Sequence, residues 1–337
     1  KCTASFCCNN AMAVCTNFST CCCASANAMP LLFANECTSN PSLPFNLALK
    51  ESILIVGARD KQVSVYSRPM QTHLFNKTSS FQEHTDSVST VRFIQPNESF
   101  KYGLIVSAGM DKTIHCQELT EEQPKFILIG HEANVCCLDI CQSKMELVSG
   151  SWDNSAIVWS EWQLKCKLVG HSGSVWSVCY FSQDTIITGS ADKTIKIWKN
   201  YECIKTIQAH DDCVRCVRSV DSDKFISCSN DTSIKVWNIN GKLLQTLNGH
   251  SSFIYSLTVL SPLEFVSCGE DRRLVVWKDG AIEQEIIFPT RTLWEVASSE
   301  EGDIAVASAD GKIRIFTRNP DKRCSGEEED SFNREVS

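Results

Sequence analysis

The sequence predicts an all-β fold, a seven-bladed β-propeller with four antiparallel strands in each blade. An aspartate recurs about every 40 residues, which is the length of one four-stranded propeller unit. In six of the seven units an aromatic residue follows this aspartate six positions later. Short β-branched runs separated by turn residues precede it. The repeat aspartates are Asp60, Asp111, Asp153, Asp192, Asp231, Asp271 and Asp310.

The fourth unit shows the elements of one blade most clearly. It begins at Gly170-His171, and the alternating segment Ser174–Val178 follows as the predicted inner strand. Thr185–Thr188 and Thr194–Trp198 predict two further strands, because both are rich in β-branched residues. Asp192 lies in the turn that separates them.

Units three to six each carry the same set of four polar and aromatic residues at equivalent positions of the repeat. Aspartate can accept from imidazole, imidazole can bond a hydroxyl, and the hydroxyl can meet an indole N–H, so each set predicts one hydrogen-bonded chain. A His-Ser-Asp set also suggests a hydrolase triad, but four copies favour structure, since an enzyme needs one site. The four predicted structural tetrads are His131, Ser149, Asp153 and Trp159; His171, Thr188, Asp192 and Trp198; His210, Ser227, Asp231 and Trp237; and His250, Ser267, Asp271 and Trp277.

The outer units depart from this pattern. Unit two has Gln117 where the others have an aromatic residue, and units one and seven keep the aspartate but have no histidine. In propellers of this type the outermost strand of the last blade usually comes from the N-terminal segment. Met29–Cys37 is the candidate for this ring-closing strand.

The composition argues against several classes of function. The chain has 337 residues and a net charge of −8, which opposes the basic footprint of a nucleic-acid binder. It has no Gly-rich phosphate loop, nucleophile motif or paired carboxylates in a defined turn. We therefore predict that it is not an enzyme, that it needs no cofactor, and that it binds neither nucleic acid nor membrane.

The cysteines predict packing and not chemistry. There are 20 of them, and those beyond residue 100 lie in predicted strands, where a small buried thiol behaves as a hydrophobic residue. Cys213 and Cys216 form a single C-x-x-C without a second pair or a histidine at ligand spacing. We predict no metal site.

Three segments follow from these patterns. Residues 1–28 form a Cys-rich segment that fits neither a signal peptide nor a membrane helix, and we expect disorder or an incorrect start. Residues 29–318 form the predicted propeller. Residues 319–337 form an acidic linker.

Function is expected on the top face, around the central channel. Two sets of positions in the repeat are expected on that face. They are the residues that flank the start of each inner strand and the residue before each repeat aspartate. They carry a high density of aromatic side chains, which could expose on the order of 400–600 Å², as much as the largest apolar patch of a typical monomer. The predicted partner-binding residues are Trp152, Trp176, Arg215, Phe253, Tyr255, Glu270 and Trp294.

The Gly-His opening and the Asp-to-Trp close of each unit resemble the WD-repeat family. The order of phrases is similar to a narrower family, that of phospholipase A-2-activating protein (PLAA) and the yeast Doa-type proteins. The phrases that carry this resemblance are Gly150-Ser151-Trp152-Asp153, Val175-Trp176, Gly189–Thr194, Asp212–Arg215, Ile254-Tyr255-Ser256, Asp303–Gly311 and the acidic tail Asp321–Val336.

The resemblance implies a non-catalytic adaptor that binds ubiquitin and acts in ubiquitin homeostasis and ubiquitin-dependent degradation, in the cytoplasm and also the nucleus. An AAA segregase would be reached only through downstream domains, which we expect to lie outside this chain. Ubiquitin offers an apolar patch ringed by basic residues, which suits an aromatic face with Glu270, Asp211 and Asp212 nearby. The alternatives are a WD-repeat scaffold and a phosphopeptide receptor, although only Arg59 and Arg215 occupy top positions.

Overall fold

The strands form seven separate four-stranded sheets. This computed structural model describes residues 32–38, 44–50, 52–69, 75–121, 123–319 and 321. Every strand pairs with its neighbours in antiparallel register, and the predicted seven-bladed propeller is confirmed. No helix within these ranges is long and apolar enough to cross a membrane. The predicted segment 1–28 lies outside the described residues, as does the linker 319–337 apart from Asn319 and Asp321.

Each blade runs from an inner strand at the channel to an outer strand at the circumference. Blades one to three comprise β2 (Pro44–Lys50), β3 (Ile53–Ala58), β4 (Val63–Ser67) and β5 (Asn76–Phe81); β6 (Val88–Ile94), β7 (Leu104–Gly109), β8 (Thr113–Glu118) and β9 (Phe126–Ile129); and β10 (Val135–Cys141), β11 (Glu146–Ser151), β12 (Ser155–Ser160) and β13 (Gln163–Val169).

The remaining blades repeat this order. Blades four to seven comprise β14 (Val175–Ser182), β15 (Thr185–Ser190), β16 (Thr194–Lys199) and β17 (Glu202–Gln208); β18 (Val214–Ser219), β19 (Lys224–Ser229), β20 (Ser233–Asn238) and β21 (Leu243–Asn248); β22 (Ile254–Ser261), β23 (Glu264–Gly269), β24 (Arg273–Lys278) and β25 (Ala281–Ile287); and β26 (Leu293–Ser298), β27 (Ile304–Ser308) and β28 (Lys312–Thr317) with β1 (Leu32–Thr38).

The N-terminal strand closes the ring. β1 pairs antiparallel with β28, with Leu32 opposite Thr317 and Thr38 opposite Lys312. It overlaps the segment Met29–Cys37 for which the sequence predicts this role. Because the first and last strands share one sheet, the ring is held shut by backbone hydrogen bonds.

The hydrophobic core lies between neighbouring sheets. β15 is buried at all six positions, since adjacent blades cover both of its faces, whereas the outer strand β17 is exposed at all but one position. Val148 and Val158 of blade three pack in one cluster with Val178 and Ile186 of blade four. Most cysteines among the described residues are buried, as the sequence predicts, whereas Cys136 and Cys166 are half-buried and Cys203 is exposed.

Each repeat aspartate fixes the turn between the second and third strands of its blade. Its Oδ1 accepts from the backbone N–H two residues later at 2.9 to 3.2 Å in all seven blades. The residue between them adopts a left-handed conformation with φ of 65° to 83°. A side chain that bonds its own turn stabilises this backbone even for residues other than glycine, such as Asn154 and Lys193. This local geometry explains the seven aspartates.

Candidate functional site

The four predicted tetrads form. In each, imidazole Nδ1 contacts the aspartate at 2.8 to 3.0 Å, Nε2 contacts the hydroxyl at 2.7 or 2.8 Å, and the indole N–H donates to the hydroxyl at 2.8 or 2.9 Å. Burial lowers the pKa of His171, which favours a neutral ring that donates through Nδ1 and accepts at Nε2. The blades are thus braced from the top turn to the third strand.

These sets are enclosed in the blades. The hydroxyl residues Ser149, Thr188, Ser227 and Ser267 are all 0% exposed, so a substrate cannot reach them as nucleophiles. Burial opposes ionisation of Asp153, but hydrogen bonds from His131, Ser155 and the Glu132 N–H outweigh it and lower the pKa of Asp153. The ionised carboxylate therefore serves the turn and the imidazole together.

Blade two carries a modified tetrad. His84 bonds Asp111 at 2.8 Å and Ser107 at 2.9 Å, while the amide of Gln117 donates to the Glu121 carbonyl at 2.9 Å. The ring of His115 stacks on His84 with centroids 4.1 Å apart. His84, Asp111 and His115 offer ligand atoms within 4.8 Å of one another, but both ring nitrogens of His84 already serve the tetrad.

Blade seven replaces the histidine with an arginine, which sequence reasoning missed. Arg314 is 0% exposed, and its guanidinium donates to Asp310 Oδ2 and Ser308 Oγ, both at 2.9 Å. The Ser308 hydroxyl in turn donates to Asp310 Oδ1 at 2.6 Å. Arg314 lies on β28, four residues after the aspartate, and so it falls outside the phase at which the other units carry histidine.

A recurring backbone hydrogen bond connects the two sets of repeat positions that are predicted to lie on the top face. In six blades the residue before the repeat aspartate donates its N–H to a carbonyl just before the inner strand, at 2.8 to 3.1 Å. Trp152 bonds Asn134 in this way, and Glu270 bonds Phe253. The six donors are Met110, Trp152, Ala191, Asn230, Glu270 and Ala309.

A β-bulge then directs one side chain from each of six inner strands into the channel mouth. The pairing register shifts at the second residue of β6, β10, β14, β18, β22 and β26, which leaves that residue without a partner on the next strand. Bulges of this kind re-aim a side chain. The six bulged residues are Ser89, Cys136, Trp176, Arg215, Tyr255 and Trp294, and all six line one cavity of about 360 Å³.

The aromatic residues of this cavity are in contact with one another. Trp152 and Trp176 lie 5.6 Å apart between ring centroids, and Tyr255 and Trp294 lie 5.3 Å apart. The Arg215 guanidinium bridges the two pairs, 4.5 Å from the Trp176 ring and 5.3 Å from the Tyr255 ring. We call these five residues the collar.

Two predicted residues lie outside the collar. Phe253 packs edge-on against Tyr255 at 6.5 Å and is 36% exposed. Glu270 is exposed and accepts from the Ser252 hydroxyl at 3.0 Å. Neither lines the cavity, but Phe253 contacts a collar residue and the Glu270 N–H bonds the Phe253 carbonyl, so we call these two residues the rim. Burial raises the pKa of Tyr255, which keeps its phenol protonated at neutral pH.

Sequence reasoning missed the floor of the cavity. Arg92, Arg218 and Glu295 project from the inner strands of blades two, five and seven and line this cavity. They also line a second, smaller cavity farther down the channel. Burial raises the pKa of Glu295 to about 7. Counting residues from each bulge would have found them, because the residue directly after the bulged one and every second residue beyond it face the same channel.

The comparisons with known proteins agree with this geometry. The chain matches the family described as "WD domain, G-beta repeat" over residues 75–116, 122–160, 162–199, 201–238 and 241–278, more than half of its length. It is similar to a solved structure, "Crystal structure of WD40 beta propeller domain of Doa1", with 32% identity and a TM-score of 0.80, over 87% of this chain and 99% of that one.

Curated relatives are similar over shorter stretches. "Phospholipase A-2-activating protein" of Xenopus laevis is 36% identical over 121 residues, which are 36% of this chain and 15% of the relative. "Ubiquitin homeostasis protein lub1" of Schizosaccharomyces pombe is 40% identical over 85 residues, 25% of this chain and 12% of the relative. The matches thus span a small part of these relatives, and they confirm the resemblance to the PLAA and Doa-type proteins. The chain belongs to the WD domain, G-beta repeat family.

Proposed function

We propose that this propeller is a non-catalytic adaptor that binds ubiquitin on its top face, through the collar and the rim residues Phe253 and Glu270. The single observation that carries the proposal is the series of bulges that turns Trp176, Tyr255 and Trp294 into one mouth. Side chains that serve only to pack a blade would not need to be re-aimed towards solvent.

The names of two curated relatives point to ubiquitin as the ligand. One is called a ubiquitin homeostasis protein, and another, from Caenorhabditis elegans, is called "Ubiquitin fusion degradation protein 3 homolog". We extend to this chain a role in ubiquitin homeostasis and ubiquitin-dependent degradation in the cytoplasm and nucleus. A link to an AAA segregase would require segments beyond this propeller.

The chemistry of the face suits ubiquitin. Trp152 is 40% exposed and Phe253 is 36% exposed, so apolar area is available for burial against an apolar patch. Glu270 and Asp211 are exposed, the Glu270 N–H bonds the Phe253 carbonyl, and the Asp211 N–H bonds the repeat aspartate Asp231. At the top of the blades these acids would meet the basic residues around that patch. Because association costs consume most of the gain, we expect modest affinity.

A titration of isotopically labelled ubiquitin with this chain tests the proposal. Trp176→Ala and Tyr255→Ala should each weaken binding about tenfold, the usual order for loss of a buried aromatic anchor. Trp162→Ala is the matched control, because Trp162 stacks on Phe126 away from the mouth. Unchanged affinity in both mouth variants, or an equal loss in the control, would remove the proposed surface.

A scaffold role has one observation in its favour. The outer strands carry exposed apolar side chains, among them Ile129 at 74%, Val169 at 70% and Ile204 at 58%. These belong to blades two, three and four, so a partner could lie along the circumference. Val169→Asp should weaken the binding of such a partner and leave ubiquitin binding unchanged.

A further inference from the structure

Blade five carries two cysteines that face each other across its first two strands. Cys216 of β18 and Cys228 of β19 are partners in the antiparallel register of that sheet. In five other blades a glycine or alanine occupies the position of Cys228, and blade six pairs Ser256 with Cys268. Among the seven described blades, blade five alone has a thiol on both strands here. The sequence predicts only packing for these cysteines, whereas their register brings together two residues that we call the thiol pair.

The register places the thiol pair within the range of a disulfide bond. Directly opposed residues of antiparallel strands have Cα atoms about 4.5–5.5 Å apart, with their side chains on one face of the sheet. Disulfide-bonded cysteines usually have Cα atoms about 4.4–6.8 Å apart. Both thiols approach the inner strand of blade six, since Cys216 Sγ lies 3.9 Å from the Leu257 carbonyl oxygen and Cys228 Sγ lies 3.5 Å from the Ile254 carbonyl oxygen. A bond between the two sulfurs therefore needs no change of strand pairing.

The two thiols differ in their access to solvent. Cys216 lines the mouth cavity of about 360 Å³, although it is only 3% exposed. Cys228 is 0% exposed and does not line this cavity. A small reagent that enters the mouth can thus reach Cys216, whereas a bulky one is hindered. Cys228 is reached through its neighbour Cys216.

The surroundings of the thiol pair favour ionisation of Cys216. A hydrogen bond with the Cys228 thiol, together with the nearby Arg218 guanidinium, lowers the pKa of Cys216 in spite of its burial. Burial raises the pKa of Cys228 well above its ordinary value. The thiolate is the nucleophilic form of cysteine. Cys216 is therefore the attacking sulfur, and Cys228 keeps its proton.

We propose that the thiol pair is a site of reversible oxidation by hydrogen peroxide or a small organic hydroperoxide. The Cys216 sulfur attacks one peroxide oxygen, the O–O bond breaks, and the other oxygen takes up a proton and leaves as water or an alcohol. The resulting sulfenic acid condenses with a thiol. The Cys228 sulfur attacks the Cys216 sulfur, and the hydroxyl leaves as water with the Cys228 proton. The thiol pair loses two electrons, the peroxide gains them, and a dithiol reductant restores both thiols.

Peptide mapping of the folded chain after brief treatment with hydrogen peroxide tests this site. Remaining thiols are blocked with N-ethylmaleimide in denaturant before the chain is cut with trypsin. Trypsin releases Cys216 and Cys228 on separate peptides, 216–218 and 225–235, each with a single cysteine. We expect these two peptides to be linked in the oxidised chain and separated again by dithiothreitol. Glutathione disulfide, which is bulkier, should give little of the linked product.

Three variants test the assigned order of reaction. Cys228→Ser should abolish the linked peptides and leave a sulfenic acid on Cys216, which dimedone traps. Cys216→Ser should abolish the linked peptides and give no trapping at Cys228. Cys268→Ser is the matched control, because Cys268 occupies the equivalent position of blade six and faces Ser256. It should form the linked peptides at the same rate as the unaltered chain.

The map of the unaltered chain is decisive even if a variant fails to fold. Absence of the linked peptides at a peroxide concentration that oxidises the exposed Cys203 would overturn the proposal. Trapping of Cys228 in preference to Cys216 would contradict the assigned order. Neither result bears on ubiquitin binding, because the thiol pair belongs to neither the collar nor the rim.

Discussion

At the scale of single residues, the repeat aspartate links two structures that each blade needs. In blade four, Asp192 Oδ1 accepts from the Thr194 N–H and hydroxyl at 2.9 and 2.6 Å, and Oδ2 contacts His171 Nδ1 at 2.8 Å. The same carboxylate accepts from the Ser172 N–H at 3.0 Å. One side chain therefore fixes both its own turn and the loop that enters the blade.

Trp198→Phe should destabilise the propeller through loss of one hydrogen bond. The indole N–H donates to the Thr188 hydroxyl, which is 0% exposed, and an unmet buried polar group costs about 1–3 kcal/mol. Urea unfolding measures this loss as a lower midpoint. Trp162→Phe is the control, because Trp162 belongs to no tetrad. Equal effects of the two substitutions would argue that the tetrad contributes nothing beyond packing.

The tetrad residues could be predicted from the sequence because they recur at equivalent positions of the repeat. Four copies indicate a structural role, since an enzyme needs only one active site. Arg314 could not be predicted in the same way. It replaces histidine from a different strand, and only the shared partner Asp310 reveals the equivalence. Single substitutions of this kind lack the repetition that makes a pattern visible.

At the scale of strands, the bulges decide which side chains reach the mouth. A strand alternates its faces, so an inner strand without a bulge would send Trp176 and Ser177 to opposite sides. The register shift between Val175 and Ser177 lets both line the cavity. The sequence predicts the aromatic residues at the top but not the bulge, because one extra residue leaves no compositional mark. For that reason the arginine floor was not predicted.

Removal of residues 1–38 should destabilise the ring. Deletion of β1 would leave β28 as an unpaired edge, with Ile313 and Ile315 losing the backbone partners Cys37 and Asn35. Exposed edges pair with other chains, so we expect a lower thermal midpoint and concentration-dependent association. Light scattering and thermal unfolding measure both effects.

Deletion of residues 1–28 alone is the matched control, because it keeps β1. It should leave the thermal midpoint unchanged and thereby test the predicted boundary at residue 29. A loss as large as that of the longer deletion would show that ring closure is not the cause.

At the scale of the whole molecule, the mouth is arranged in concentric zones. Arg92 and Arg218 form the floor, the collar forms the wall, and Phe253 and Glu270 form the rim. The number of blades could be predicted from the spacing of seven aspartates, since each blade repeats one unit. The depth of each zone could not, because it depends on how seven inner strands converge on one axis.

The most direct test of the central claim is site-specific photo-crosslinking to ubiquitin. A photoreactive residue at Phe253, 36% exposed on the rim, should crosslink ubiquitin in proportion to its concentration. The same residue at Leu244, 45% exposed on the outer strand β21, should not. Crosslinks from position 253 alone are the predicted result. Crosslinks from position 244 alone would contradict the assignment of the channel mouth as the ubiquitin-binding surface.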